Sequence, residues 1–250
     1  MVGRVGGDAF GPVLVENLAR QGVDTDRVRI EQETSTGVAV ITVDDTGENR
    51  IIISAGANDR VDMSDVDGAE ELLREARFLI LQFEIPLEVV DYAIEKAAQY
   101  PVRVILNPAP AASVSFDFLG RVDCLVPNET ETKELTGIEV GDLGSARKAA
   151  QKLLDCGIRE VVITLGESGA LMATNQGVIH VPARKVEVVD TTAAGDAFVG
   201  GLAVALVRGL APEEAVRYAT CAGTLAVTQF GAQTSLPSAE RVREFYEGGD

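Results

Sequence analysis

Asp190-Thr191-Thr192-Ala193-Ala194-Gly195-Asp196-Ala197-Phe198 is the stretch from which the rest of the chain can be read. Just before it, Val186 to Val189 has Glu187 as its only polar residue and predicts a short buried strand. Just after it, Phe198, Leu202, Ala205 and Leu206 recur at helical spacing. A strand is therefore expected to pass into a helix through very small residues. The first N–H groups of a helix lack intrahelical partners and sit at the positive end of its dipole, so a side-chain-poor entry lets an anion come close. Ala193, Ala194 and Gly195 form such a candidate cradle. Asp196 follows at once, where a carboxylate can take a proton from a hydroxyl that attacks a bound phosphoryl group. An ordinary helix start with an acidic first turn fits the same residues.

Upstream of this stretch the chain alternates. Phe78 to Leu81, Val102 to Leu106, Cys124 to Val126 and Val161 to Thr164 are short apolar runs. Between them lie helical faces, Leu87, Val90, Ile94 and Ala97 in one case and Ala146, Ala149, Ala150 and Leu153 in another. Strands separated by helices predict βαβ units and a mainly parallel sheet of the α/β class. Parallel strands deliver their carboxyl ends to one rim, where ligands bind in such folds. Gln82-Phe83-Glu84, Asn107-Pro108-Ala109-Pro110, Pro127-Asn128-Glu129 and Thr164-Leu165-Gly166 would all reach that rim, together with the cradle. Asn128 and Glu131 also have the spacing of a helix cap, and the run from Thr164 to Gly169 that of a turn.

Near the amino terminus, Met1 to Val5 reads as the end of a strand that enters a helix carrying Leu14, Val15 and Leu18 and stopping near Gly22. That opening predicts further sequence upstream. Gly37 to Val43 and Arg50 to Ile53 are β-rich runs joined by the polar, Gly-bearing segment Asp44 to Asn49, which predicts a hairpin. Beyond the central stretch come a helix from Glu213 to Thr228, a loop from Phe230 to Pro237 and a last helix from Ser238 to Tyr246.

The chain has 250 residues, enough for one large domain over 1–250. With 22 Lys and Arg against 39 Asp and Glu, the formal net charge of −17 argues against a nucleic-acid partner, which needs clustered cations. ATP is not excluded, because backbone amides and Mg²⁺ can hold it. Cys124, Cys156 and Cys221 form no CxxC pair, and the one histidine, His180, sits in a short apolar run that reads as a strand. No apolar run reaches membrane-spanning length and no signal-peptide pattern is visible, so a cytoplasmic protein with no membrane partner is expected.

The central stretch resembles the carboxyl-terminal signature of the ribokinase-like (PfkB) carbohydrate kinases. Other segments are similar to that family too: Gly6, Asp8 and Gly11; Ser35 to Ala39, Gly47 to Asn49 and Ala55 to Asn58; Pro127 to Glu131; and Ile163 to Gly169. The resemblance implies a three-layer α/β/α fold with a small β lid at 34–56 and ATP-dependent phosphorylation of a sugar hydroxyl. Ribose is the first expectation, with fructose, 2-keto-3-deoxygluconate or a nucleoside open. It implies Asp196 as catalytic base beside substrate, with the amides of Ala193, Ala194 and Gly195 as anion hole. Nucleotide contacts would come from Asn128, Thr164, Gly166, Gly169, Gly195 and Thr220, the last in place of a residue that is commonly His. Glu84 would contact sugar, and Asn128 and Glu131 would place Mg²⁺ through water. K⁺ would lie among Asp190, Thr192, Ala226, Gln229, Gly231 and Ser235, and a homodimer is implied as possible. The family's opening sugar-binding strand, two lid strands and its Gly-Gly-Lys-Gly-Ala-Asn motif have no counterpart here. That keeps open a rival reading, a shortened or nucleotide-binding protein without sugar kinase activity.

Overall fold

The computed structural model describes residues 1–43 and 49–248, and of 41–43 and 49–51 the backbone alone. The chain divides into two compact units, residues 1–76 with 82–102, and residues 77–81 with 103 onward.

In the first unit, β1 (Val2–Gly6) leads into α1 (Phe10–Arg20) and returns as β2 (Arg27–Glu31), parallel to β1. The junction explains its glycines. A Cβ on Gly6 would lie 2.2 Å from the Thr36 amide nitrogen, and one on Gly11 would lie 2.1 Å from the Gly6 carbonyl. Asp8 binds the two sides together: Oδ1 accepts from the amides of Phe10 and Gly11 and from Thr36 Oγ1, and Oδ2 accepts from the Thr36 amide at 2.8 Å. Those donors, the Thr36 hydroxyl first, lower its pKa to about 2. The short, charged Arg27–Glu31 run was not anticipated as a strand. It is fixed from outside, by Arg4 of β1 pairing with Glu31 at 2.8 Å and with Asp62 and Asp65 at 2.7 Å.

The expected hairpin is present as β3 (Val38–Val43) antiparallel to β4 (Asn49–Ser54), with Val40 opposite Ile52. Its connection over 44–48 lies outside the described residues. A 3₁₀ turn, α2 (Met63–Asp67) and α3 (Glu70–Glu75) follow, and after residues 77–81 the unit resumes with α4 (Leu87–Ala97). Val90, Ile94 and Ala97 of α4 are buried, as their spacing requires.

The second unit is built on a six-stranded sheet. In chain order its strands are β5 (Phe78–Leu81), β6 (Arg103–Leu106), β7 (Cys124–Leu125), β8 (Glu160–Thr164), β9 (Ala170–Thr174) and β10 (Gly177–Val181), and they lie side by side in that order. β5 to β8 are parallel; β9 and β10 add antiparallel at one side, with His180 paired opposite Leu171. The intervening helices are α5 (Phe116–Leu119), α6 (Glu129–Thr136) and α7 (Leu143–Leu154), and after the sheet come α8 (Ala194–Val207), α9 (Pro212–Ala226) and α10 (Ala239–Glu247).

Strand alternation sorts the core into two faces. Val162, Ala170 and Met172 join Phe198, Leu202, Ala219 and Ala222 of α8 and α9 in one buried cluster. Their neighbours Val161, Ile163, Leu171 and Ala173 point to the opposite face, and α7 packs against β8 and β9 with Ala146, Ala149, Ala150 and Leu153 buried. Helices thus cover both faces of a mainly parallel sheet, the expected three layers. At Gly201 an added Cβ would come 2.9 Å from the Ala222 methyl, so glycine allows α8 and α9 to approach closely.

One expected element does not form. Residues 182–189 contain no strand, and Val188 and Val189 are 60% and 57% exposed. The amides of Val189 and Asp190 donate to the Val227 carbonyl, just past the end of α9, so this segment bonds to a helix terminus and not to a strand. Apolar content alone did not distinguish the two.

Candidate active site

The turn into α8 is made by Ala193, at φ 60° and ψ 9° the sole non-glycine residue with positive φ among those described. Such a conformation costs an L-residue about 1–2 kcal/mol and persists where its surroundings fix it. Here the Ala193 carbonyl accepts from the Ala197 amide at 2.9 Å, while the Ala194 amide makes a longer 3.3 Å bond to Thr191. The amides of Gly195 and Asp196 find no protein acceptor among the described residues. Of the three amides that the sequence put forward, those of Ala193 and Gly195 lack a protein acceptor among the described residues and that of Ala194 has one, and the Asp196 amide joins the open set. A Cβ built on Gly195 would meet nothing within 4 Å, so no neighbouring element packs against its Cα.

Asp196 has no hydrogen-bond or ion-pair partner among the described residues. Its residue surface is exposed, yet protein crowds the carboxylate enough that desolvation raises its pKa above the ordinary aspartate value. A carboxylate beside open amides at a helix amino end can accept a proton while an anion is held next to it.

Asp190 has a different task. Its Oδ1 accepts from the Thr192 amide and hydroxyl at 2.9 and 2.7 Å, and its Oδ2 from the Gly231 amide at 2.9 Å. These bonds, the Thr192 hydroxyl first, lower its pKa and tie the loop before α8 to the loop after α9. Nearby in sequence, the Gln229 amide bonds the Ala226 carbonyl at 3.2 Å, and the fully buried Ser235 hydroxyl donates to Ala232 at 2.8 Å.

At the ends of the parallel strands, ladder bonds carry the chain tips to one edge: Asn107 N–H to Leu81, Val126 N–H to Leu106 and Thr164 N–H to Pro127. Asn128 opens α6 in a reciprocal cap. Its Oδ1 accepts from the Glu131 amide at 2.8 Å, Glu131 Oε2 accepts from the Asn128 amide at 2.8 Å, and Asn128 Nδ2 donates to Glu131 Oε1 at 2.9 Å. Glu131 is buried, and desolvation raises its pKa. From Thr164 the chain folds on itself, with the Leu165 amide bonded to Gly169 at 2.8 Å. Gly166 has φ 51° and lies exposed; Gly169 has φ 89°, and a Cβ there would fall 2.0 Å from the Val181 carbonyl. Glu84 belongs to the first unit, where it is exposed just beyond β5.

Thr220 is buried on α9, and its hydroxyl donates to the Val216 carbonyl at 2.9 Å. It lines a cleft of about 250 Å³ together with Val181, Pro182, Arg184, Arg217, Cys221 and Thr224. The sequence reading missed this group apart from Thr220, although Thr224 follows Thr220 at the i, i+4 spacing that puts both on one helical face.

Residues 1–239 match the model of the pfkB family of carbohydrate kinases. Haemophilus influenzae ribokinase is 37% identical over 97% of this chain and 79% of its own length, and Salmonella typhi deoxyribokinase is 39% identical over 98% and 80%. The structure of Arabidopsis thaliana ribokinase complexed with ribose and ATP superposes with a TM-score of 0.92 at 33% identity, covering 98% of this chain and 81% of that one. A fold made of these layers, closed by this helix entry and matched in sequence over residues 1–239, leaves one conclusion: the chain belongs to the pfkB family of carbohydrate kinases.

Proposed function

We propose that this protein moves the γ-phosphoryl group of ATP to a hydroxyl of ribose. The observation that carries the reading is the start of α8, where the acceptor-less amides of Gly195 and Asp196 lie beside an unpaired, partly desolvated Asp196 carboxylate. The sugar hydroxyl oxygen attacks the γ-phosphorus, its proton passes to Asp196, and the bond from phosphorus to the departing ADP oxygen breaks. The amides meet the charge that gathers on the phosphoryl oxygens. Phosphoryl transfer depends mainly on position and electrostatics, so a modest carboxylate base suffices.

The donor set supports hydrated Mg²⁺ in place of a protein-chelated ion. Both Glu131 oxygens already accept hydrogen bonds, and among the described residues no three His, Cys, Asp or Glu side chains cluster as ligands. Mg²⁺ keeps several waters and binds largely through substrate phosphates, whose charge it neutralises when present. Asn128 and Glu131 would then hold its water shell. For K⁺, Asp190 is occupied by three donors and organises the loop, leaving carbonyl and hydroxyl oxygens from Thr192, Ala226, Gln229, Gly231 and Ser235, a donor class suited to a hard cation.

The names of the relatives make ribose and 2-deoxyribose the two sugars to compare. An ADP-coupled assay with ATP–Mg²⁺ is expected to give turnover with ribose at least equal to that with 2-deoxyribose. Asp196→Asn should lower kcat by roughly 10²–10⁴-fold, the usual worth of a positioned base, while ATP affinity stays within a few-fold. ATP binding without turnover on any sugar would favour the nucleotide-binding alternative.

A further inference from the structure

Among the described residues, the buried side-chain oxygens that make no hydrogen bond are Asp65 Oδ1, Asn107 Oδ1, Thr132 Oγ1 and Glu160 Oε2. Asp65 and Glu160 belong to ion pairs with Arg4 and Arg103, and Thr132 is fully buried in the body of α6, where no solute reaches it. Asn107 differs from all three. It is half-buried just past the carboxyl end of β6, on the edge where the strand tips gather. A buried acceptor without a donor weakens the fold unless a ligand completes the bond.

Strand alternation says which way that side chain points. Ile105 and its β7 partner Cys124 lie in the buried cluster with Ala197 and Phe198, near the start of α8, and so do Val126 and Val162. The Asn107 amide continues the ladder by donating to Leu81, so its side chain leaves the sheet on the same side as Ile105. Pro108 has no N–H to carry the ladder further. Two residues on from Val126 and from Val162, Asn128 and Thr164 fall on that side as well. Asn128 and Glu131, at the neighbouring tip, are already bonded to each other three times over, which leaves Asn107 as the open acceptor beside them. A phosphate oxygen has no hydrogen to give it. The missing donor must be a water or a hydroxyl, and ordered water is what Mg²⁺ carries to phosphates, several molecules at a time.

We propose that Asn107 is a positioning residue for the metal, its Oδ1 accepting from a water of the Mg²⁺ that accompanies ATP. This deepens the kinase reading and rests on it. Asn107→Leu removes the acceptor, and Asn107→Asp keeps the shape and adds charge. Mn²⁺, whose free ion is counted by electron paramagnetic resonance, serves as the probe in the presence of ADP, and calorimetry gives the affinity for metal-free ADP. Asn107→Leu is expected to bind Mn²⁺ roughly three- to tenfold more weakly, as one lost hydrogen bond implies, and to bind metal-free ADP as before. Asn107→Asp should bind Mn²⁺ at least as tightly as the unsubstituted protein, because a carboxylate then faces the hydrated cation. Unchanged Mn²⁺ affinity in Asn107→Leu, an equal loss for metal-free ADP, or weaker Mn²⁺ binding by Asn107→Asp overturns the assignment. So does a loss of ribose affinity in place of metal affinity, which would give the oxygen to a sugar hydroxyl. Should Asn107→Leu not fold, the near-isosteric Asp variant decides. If the unsubstituted protein binds ADP with neither Mg²⁺ nor Mn²⁺, it is the kinase reading that falls.

Discussion

Asp196 combines two properties that pull against each other. It stands where a base is useful, and burial makes its ionised form costly, so its folded pKa lies above the unfolded one. A carboxyl group shifted upward contributes stability that is complete below the unfolded pKa and is lost as pH rises through the folded value. Asp196→Asn should therefore melt at a higher temperature than the unsubstituted protein at pH 7, and the gap should close as pH is lowered to 3.8 and below. Turnover must move the other way, because the base works only when ionised, and kcat should fall on its acid limb at a pH above the ordinary aspartate range. Scanning calorimetry across pH checks the first expectation and a pH–rate profile the second. An Asn variant less stable at every pH would mean that the carboxylate is held by interactions stronger than its desolvation.

At the scale of elements, sequence was a good guide where an element is specified by its own residues. Asn128 and Glu131, three apart and followed by Gly137, form the reciprocal cap and the left-handed helix end that such residues predict, with Gly137 at φ 71°. Asn128→Ala should cost about 1–2 kcal/mol, read as a lower urea midpoint at unchanged slope. The deficit should shrink toward pH 4, because a protonated Glu131 no longer needs the donor it loses. Elements specified from elsewhere in the chain were less legible. β2 is a charged pentapeptide whose pairing is set by Arg4 and by carboxylates some thirty residues further on. Val186 to Val189 has the composition of a strand but takes its hydrogen bonds from Val227, a partner that local periodicity cannot reveal.

Over the whole molecule, the candidate site was legible to the extent that it follows from topology. Strand ends of a parallel sheet share an edge, and Asn107, Asn128 and Thr164 were assigned to it from strand–helix alternation alone. That the Ala194 amide is taken and the Asp196 amide open was not legible, because the left-handed turn at Ala193 is a backbone property with no glycine to announce it. The cleft was missed because it is made by residues from two stretches far apart in sequence, 181–184 and 217–224. All the nucleotide candidates, Asn128, Thr164, Gly166, Gly169, Gly195 and Thr220, belong to the second compact unit, whereas the β3–β4 hairpin belongs to the first. Hydrogen exchange with and without ADP–Mg²⁺ can test that division. The amides of Gly195 and Asp196 have no protein acceptor and should exchange rapidly in the free protein, then slow by at least about tenfold once phosphate oxygens accept from them. Residues 164–169 and 217–224 should slow with them, and the amides of 38–40 and 52–54 in the hairpin should be unaffected by nucleotide alone. Protection confined to the hairpin, with none at 195 and 196, would place the phosphates away from α8 and remove the basis for Asp196 as the base.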